Sequence, residues 1–264
     1  MDFGPIAAKH ELPTGVRWID ARVRRSAFLE GHVPGAVHAD LERDLSGDPH
    51  HPERGGRHPL PSPAAFAERL ETWGIRPDDA VVIYDDAGGA MAAARCWWMM
   101  RAIGHRAVAI LDGGLAPGFP LEKTETDYPR SHYPAPETWL RPTVDLAYVQ
   151  AHHQDANKIV LDVRTEERFR GEKEPIDPVA GSIPQAKNLP LARNLRPDKT
   201  FKSPTELRRQ YHALLGSVSP EDLVVSCGSG VTACHTLAAL EYAGLDGAAL
   251  YVGSWSEWCR NPVQ

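Results

Sequence analysis

Cys227 lies in the stretch LVVSCGSGVTACHTLAALEYAGL, residues 223–245. Four residues suited to a buried strand give way there to glycine, serine and glycine, and then to an alanine- and leucine-rich stretch of helical character. A thiol at its ordinary pKa is mostly protonated at neutral pH and becomes a strong nucleophile only when its thiolate is stabilised. Gly228 and Gly230 let the backbone curl so that successive N–H groups converge on the sulfur, and the following helix presents its positive end to the same place. Such a loop would hold a thiolate, and equally the larger, more diffuse anion of a persulfide, without a neighbouring lysine or arginine. The plain alternative is an inert buried cysteine, but an apolar packing site has no use for two glycines and a hydroxyl. Val231 and Thr232 close the loop, with Thr232 placed to cap the helix through its hydroxyl. Cysteine phosphatases use a similar loop, but their Cys-x5-Arg signature needs an arginine where this chain has Ala233.

The elements that would position this loop are written twice, at an offset of about 142 residues. WIDARV (18–23) aligns with VLDVRT (160–165), and GHVPGAVH (31–38) aligns with GSIPQAKN (181–188) after an insertion in the second copy. PSPAAFAERL answers KSPTELRRQY, each reading as a helix opened by Ser-Pro. VVIYDDAGG (81–89) meets LVVSCGSG (223–230), and ILDGGLAPG (110–118) meets YVGSWSEW (251–258). Between the copies, EKTETDYPRSHYPAPETWLRPTV is proline-rich and polar, with no sustained apolar period, and reads as a linker. The expected organisation is an N-terminal domain over residues 1–121, a linker over 122–142 and a C-terminal domain over 143–264. Within each copy, short apolar strands alternate with helices, which predicts an α/β fold: a mainly parallel sheet with helices on both faces. The functional crevice of such sheets lies at the carboxyl ends of the strands, where Cys227 falls.

CGSGVTAC resembles the active-site loop of the 3-mercaptopyruvate sulfurtransferases of the rhodanese family. With GHVPGAVH in the first copy, and LDVRTEERFRG and VGSWSEW in the second, the resemblance extends over nearly the whole chain. It implies two tandem rhodanese-like domains. It also implies that Cys227 takes a sulfane sulfur from a small-molecule donor, holds it as a persulfide, and passes it to a thiol, thioredoxin-like or cyanide acceptor. By the same resemblance Arg168 of ERFRG binds the substrate carboxylate, as suits a guanidinium fork, and the loop residues Gly228, Gly230, Val231 and Thr232 bind substrate. The family pattern has a second arginine nine residues on, where this chain has Asp177, and Gly181-Ser182 replaces the usual glycine-histidine of the following motif. Relatives acting on thiosulfate carry a lysine at the position of Ser229, within a Cys-Arg-Lys-Gly loop. The neutral loop here favours mercaptopyruvate over that dianion. Cleaving mercaptopyruvate leaves an enolate that needs a proton, which Ser229 would donate or relay. His58 of GGRHPLP and an acidic residue after GHVPGAVH, either Glu42 or Asp44, would complete the relay across the domain cleft.

Duplication also supplies an internal control: residues kept in both copies serve the fold, and residues unique to one are candidates for function. Asp20/Asp162 and Arg22/Arg164 occur twice, which favours a structural carboxylate–guanidinium pair. At the position of Cys227 the first copy has Asp85, followed by Asp86. Carboxylates cannot accept sulfur and repel anions, so the N-terminal domain is expected to be non-catalytic. An aspartyl nucleophile there lacks the Asp-x-Asp spacing of phosphoaspartate enzymes. Arg168 is unmatched in the first copy, which has Ser26 instead.

The 264 residues are 42% hydrophobic and 24% charged, with a formal net charge of -6. No long basic run or long apolar stretch points to nucleic acid or membrane as partner, and the start of the sequence lacks the pattern of a secretory signal. The expected location is the cytoplasm. Four cysteines without a Cys-x-x-Cys pair, and histidines without a His-Glu-x-x-His helix, predict reduced thiols and neither metal nor cofactor. Cys234 is expected to be a small buried residue and His235 a partly exposed one. CWWMM (96–100) reads as core, and Trp255 and Trp258 as either pocket wall or structure. Alternative functions are thiosulfate sulfurtransfer, or a non-enzymatic persulfide carrier or redox-sensing module loaded by another protein.

Overall fold

A computed structural model describes residues 4–261. Two compact units share them. The first comprises the chain up to Ser46, Pro61–Arg141 and Pro197–Phe201. Its strands are β1 (Ile6–Ala7), β2 (Arg17–Asp20), β3 (Val37–His38), β4 (Val81–Tyr84) and β5 (Val108–Leu111). They pair in parallel in the order β1-β5-β4-β2-β3. Every residue of β4 and β5 is buried, as continuous apolar strands covered on both faces must be. The flanking helices are α1 (Arg25–Glu30), α2 (Pro63–Thr72) and α3 (Ala92–Ala102). Ser62 caps α2, accepting the Ala65 N–H at 3.1 Å, with Pro63 at the first helical position. Cys96 to Met100 of α3 are at most 1% exposed, core as their composition indicates.

The proline-rich stretch after residue 121 forms no helix among its described residues, yet it is bound to this first unit along its length. The Tyr128 hydroxyl donates to Gly35 O at 2.8 Å, Arg130 bonds Glu71, and the buried Tyr133 hydroxyl meets His105 Nδ1 at 2.8 Å. Trp139 lies against Phe66 and Trp98. Prolines and charges gave it the look of a tether; its aromatic residues make it a strap.

The second unit comprises Gly47–Leu60, Pro142–Arg196 and the chain from Lys202 onward. Its strands β6 (Thr143–Val144), β7 (Ile159–Asp162), β8 (Lys187–Asn188), β9 (Leu223–Ser226) and β10 (Ala249–Tyr251) pair in parallel in the order β6-β10-β9-β7-β8, repeating the topology of the first sheet. Its helices are α4 (Leu146–His152), α5 (Glu166–Phe169), α6 (Pro204–Leu215), α7 (Ala233–Tyr242) and α8 (Ser254–Trp258). Ser203 and Glu206 form a capping box at the start of α6. Trp255 and Trp258 belong to the core with Val160, Val224 and Tyr251.

Both copies use the same fastener. Arg22 bonds Asp20 at 2.6–3.0 Å and Gly31 O at 2.7 Å. Arg164 bonds Asp162 at 2.7–3.1 Å and Gly181 O at 2.7 Å. The pair ties the end of the strand beside the edge to the turn that precedes the edge strand, a structural task in each half.

Gly47–Leu60 falls within the first sequence copy but packs with the second unit. The Gly55 N–H donates to Glu257 at 2.6 Å, the Arg57 N–H to Ser256 Oγ at 3.1 Å, and Asn261 Nδ2 to Glu53 O at 3.0 Å. Gly56 has φ 78°, and a side chain there would collide with Gly253 O. The segment carries no apolar period, so its sequence did not reveal what it rests on. No helix among the described residues is long and apolar enough to cross a membrane.

Candidate active site

β9 runs between β7 and β10, so its carboxyl end opens at the middle of the second sheet. Cys227 follows it directly and is 1% exposed. Gly230 takes φ 73°, a left-handed conformation, and lies so close to Val252 O that any Cβ would collide with it. The loop is fastened to the first turn of α8: the Trp255 N–H donates to Cys227 O at 3.0 Å and the Ser256 N–H to Gly228 O at 2.8 Å.

The expected convergence of loop N–H groups takes a different form. Those of Cys227 and Gly230 meet on Ser254 Oγ, at 3.0 and 3.1 Å, and that hydroxyl donates to Tyr251 O at 2.8 Å while standing 4.0 Å from Cys227 Sγ. Ser254 is fully buried and takes φ 51°, an unfavourable conformation for a residue with a side chain. Sequence reasoning quoted this serine within VGSWSEW and gave it no role. Strand register makes it the equivalent, in the second unit, of Gly114 in the first, which also has positive φ, and Leu115 N–H to Asp85 O mirrors Trp255 N–H to Cys227 O. The sequence alignment was one residue out at this point, which hid a serine standing in place of a glycine.

His58 Nδ1 lies 2.7 Å from Ser229 Oγ, so the structure joins two of the residues singled out for proton transfer. Ser229 is 5% exposed. His58 arrives on the segment that packs with the second unit, seated by Gly55 and Gly56 against α8. Val231 is buried, and Thr232 is half-buried at the N-cap of α7. The expected hydroxyl cap is not formed: Thr232 has helical backbone angles, which aim its side chain away from the free N–H groups.

The two acidic candidates lie in the first unit. Asp44 is buried and its carboxylate is consumed by Arg43 at 2.8–2.9 Å, Arg69 at 3.1 Å and the Asp40 N–H at 2.9 Å. Glu42 is exposed, and its N–H donates to Asp40 Oδ1.

Arg168, on α5, holds Glu174 through Nε and Nη2 at 2.7–3.2 Å. Its side chain is 18% exposed. A Cβ built on Gly228 would lie 3.5 and 3.6 Å from its two terminal nitrogens, and 3.2 Å from Nη2 of Arg57. Arg57 was passed over in GGRHPLP in favour of its neighbour, and a single surface-coded arginine gave no signal to find it. Asp177, where the family pattern has an arginine, is sealed from solvent. It is bonded by Arg57 and by Arg260, and lies 3.7 Å from Arg168. Of the two residues expected to be bland, Cys234 donates to Gly230 O at 3.3 Å. His235 is completely buried rather than partly exposed, because α7 is covered on all sides; burial pushes its pKa down to about 3.

The second unit thus brings together a buried cysteine at a strand end, a histidine–serine hydrogen bond in the loop that follows it, and two guanidinium groups over Gly228. The chain is 46% identical over 241 residues to a protein named probable 3-mercaptopyruvate sulfurtransferase from Pseudomonas aeruginosa, covering 89% of this chain and 84% of that one. It is 39% identical over 257 residues to a putative thiosulfate sulfurtransferase, SseB, from Mycobacterium tuberculosis, covering 94% and 88%. Among solved structures, 3-mercaptopyruvate sulfurtransferase from Leishmania major superposes with a TM-score of 0.82 at 30% identity, over 96% of this chain and 74% of that one. The rhodanese-like domain model matches twice, over residues 7–117 and 145–261, and the chain belongs to that family.

Proposed function

We propose that this protein is a sulfurtransferase that moves a sulfane sulfur from 3-mercaptopyruvate, through a persulfide on Cys227, to a thiol acceptor. The observation that carries the reading is the Ser229–His58 hydrogen bond at 2.7 Å in the loop that begins with Cys227. A serine in place of a lysine leaves the loop without the cation that suits thiosulfate, and its histidine partner equips it to move a proton.

In the first half-reaction the Cys227 thiolate attacks the sulfur of the donor. The S–S bond forms as the C–S bond breaks, and the electron pair of the broken bond passes to carbon as an enolate. The cysteine sulfur is oxidised and the carbon reduced. Ser229 delivers a proton to that carbon and is re-protonated from His58, giving pyruvate. The Asp44 carboxylate is held by Arg43 and Arg69, and the proposed relay rests on Ser229 and His58. Arg168 binds the donor carboxylate, and Gly228, Gly230, Val231 and Thr232 shape the loop around the sulfur. In the second half-reaction an acceptor thiolate attacks the outer sulfur, and the Cys227 thiolate leaves. Thioredoxin-like proteins, small thiols and cyanide are all acceptors of suitable chemistry. The four cysteines are free, which suits a cytoplasmic setting whose thiol pool also supplies acceptors. The first unit, with Asp85 in place of the nucleophile, is proposed to be non-catalytic.

Intact-mass measurement after brief exposure to mercaptopyruvate tests this: one added sulfur on the wild type and none on Cys227→Ser is expected, and an unmodified wild type overturns it. The second reading, thiosulfate as donor, is favoured by the two guanidinium groups beside Gly228. Steady-state comparison of the two donors separates them, with a clear preference for thiosulfate reversing the assignment.

A further inference from the structure

Gly228 forms the floor of a small space flanked by guanidinium groups from two distant parts of the sequence. A methyl group added at its Cα would lie 3.2 Å from Arg57 Nη2 and 3.5–3.6 Å from both terminal nitrogens of Arg168. Both side chains keep contact with solvent, at 22% and 18% exposure, while the carboxylates that hold them, Asp177 and Glu174, are 0% and 2% exposed. The cations therefore face the space, and their counter-ions stand behind them. Around this point Arg57, Arg168 and Arg260 share the Asp177 carboxylate, and Arg164 and Arg168 share Glu174. One Asp177 carboxylate faces three arginines, bonding Arg57 and Arg260 through Oδ1 and lying 3.7 Å from Arg168 through Oδ2, so it does not neutralise each of them.

We infer that Arg57 is the second guanidinium of the donor-carboxylate subsite, acting beside Arg168, and that Asp177 is the positioning residue that aims it. The inference rests on the sulfurtransfer reading and deepens it. The cation that the family pattern carries at position 177 is supplied here by the segment before His58, and the residue at 177 has become the anchor for the replacement. The Gly55-Gly56 pair serves this arrangement: Gly56 lets the chain lie against Gly253, and the Arg57 N–H is fixed to Ser256 Oγ at 3.1 Å. The backbone is held while the guanidinium reaches over Gly228. Two forks on one carboxylate supply orientation as well as charge, and place the donor sulfur toward Cys227.

The test is Arg57→Met and Arg57→Lys in the full chain, assayed with mercaptopyruvate and with mercaptoacetone, in which a methyl group replaces the carboxylate. Loss of a charge-assisted bidentate contact predicts a rise in KM for mercaptopyruvate of roughly 10- to 100-fold in Arg57→Met. The inhibition constant of pyruvate should rise by the same factor, with kcat within about threefold of the wild type. Arg57→Lys should recover part of the loss, since it restores the charge without the fork. Persulfide loading from mercaptoacetone should be the same in wild type and Arg57→Met. An unchanged KM and pyruvate inhibition constant in Arg57→Met overturns the inference. So does an equal loss with both donors carried by kcat, which would mark a residue that only supports His58. A wild type that transfers no sulfur from mercaptopyruvate is a separate outcome: it defeats the sulfurtransfer reading, and this inference with it.

Discussion

The loop after β4 and the loop after β9 occupy the same place in two sheets of identical strand order, and they treat the residue at the strand end in opposite ways. In the first unit the Asp85 carboxylate accepts the N–H groups of Ala87, Gly89 and Met91 at 2.8, 2.8 and 3.1 Å. That loop is closed on its own side chain: a buried anion, its pKa pushed up by burial against the pull of its donors, fills the place where N–H groups converge. In the second unit the residue at the same place is a shorter thiol, and the hydroxyl of Ser254 gathers two of the loop N–H groups beside it. One backbone design can thus be satisfied from within, by the side chain at the strand end, or kept in shape by a neighbour, which relieves the strand-end side chain of that task.

The strongest way to break this contrast is at the two strand ends. Cys227→Ser should abolish persulfide formation and turnover. The reverse graft, Asp85→Cys on that background, should gain no sulfur by intact mass, because the first unit supplies no His58–Ser229 pair. Next in size is the proton relay. His58→Ala and Ser229→Ala should each lower kcat with mercaptopyruvate by about 100-fold or more, and the double variant should be little worse than either single one if the two act as a unit. Ser254→Gly converts the second loop to the form the first one uses. It strands two buried N–H groups at about 1–3 kcal/mol each, so a lower unfolding midpoint and a roughly tenfold or greater loss in kcat/KM are expected.

The smallest effect is in pH dependence. His105 in the first unit and His235 in the second are both buried, with pKa values pushed down, that of His235 to about 3. The sign follows from the unfolded chain, where a histidine titrates near 6.5. Below that pH the unfolded state gains a proton that the folded state refuses, so stability falls as pH drops from about 6.5 toward 3. For His235, whose pKa is pushed down to about 3, the slope approaches about 1.4 kcal/mol per pH unit between those limits; His105 adds to it in the same direction. Replacing His235 by Asn should flatten the slope measured by denaturant unfolding between pH 6 and 4.

The duplicated pattern made much of this legible. The strands alternate with helices in both copies, the Asp-Arg fasteners recur, and both strand-end loops carry glycines that a tight turn requires, Gly88 and Gly89 in the first and Gly230 in the second. Three features escaped because each depends on distance in space and not on local pattern. Ser254 does its work through an unfavourable backbone angle, which no propensity predicts. Arg57 gains its meaning from Asp177, 120 residues away. The stretch 122–142 reads as a spacer because prolines and charges dominate it, while Tyr128, Tyr133 and Trp139 decide where it lies. Asp177, which stands where the family pattern has an arginine, is the buried support of Arg57 and Arg260.

The placement of Gly47–Leu60 in the second unit has an evolutionary consequence. The duplication reads as two equal copies, yet the copy that carries the thiol borrows a histidine and an arginine from sequence encoded in the other. A gene severed at the repeat boundary would yield a half that bears Cys227 but lacks the segment that carries Arg57 and His58. Under the proposed mechanism, neither half could then be shuffled, swapped or lost on its own without separating the thiol from its proton partner.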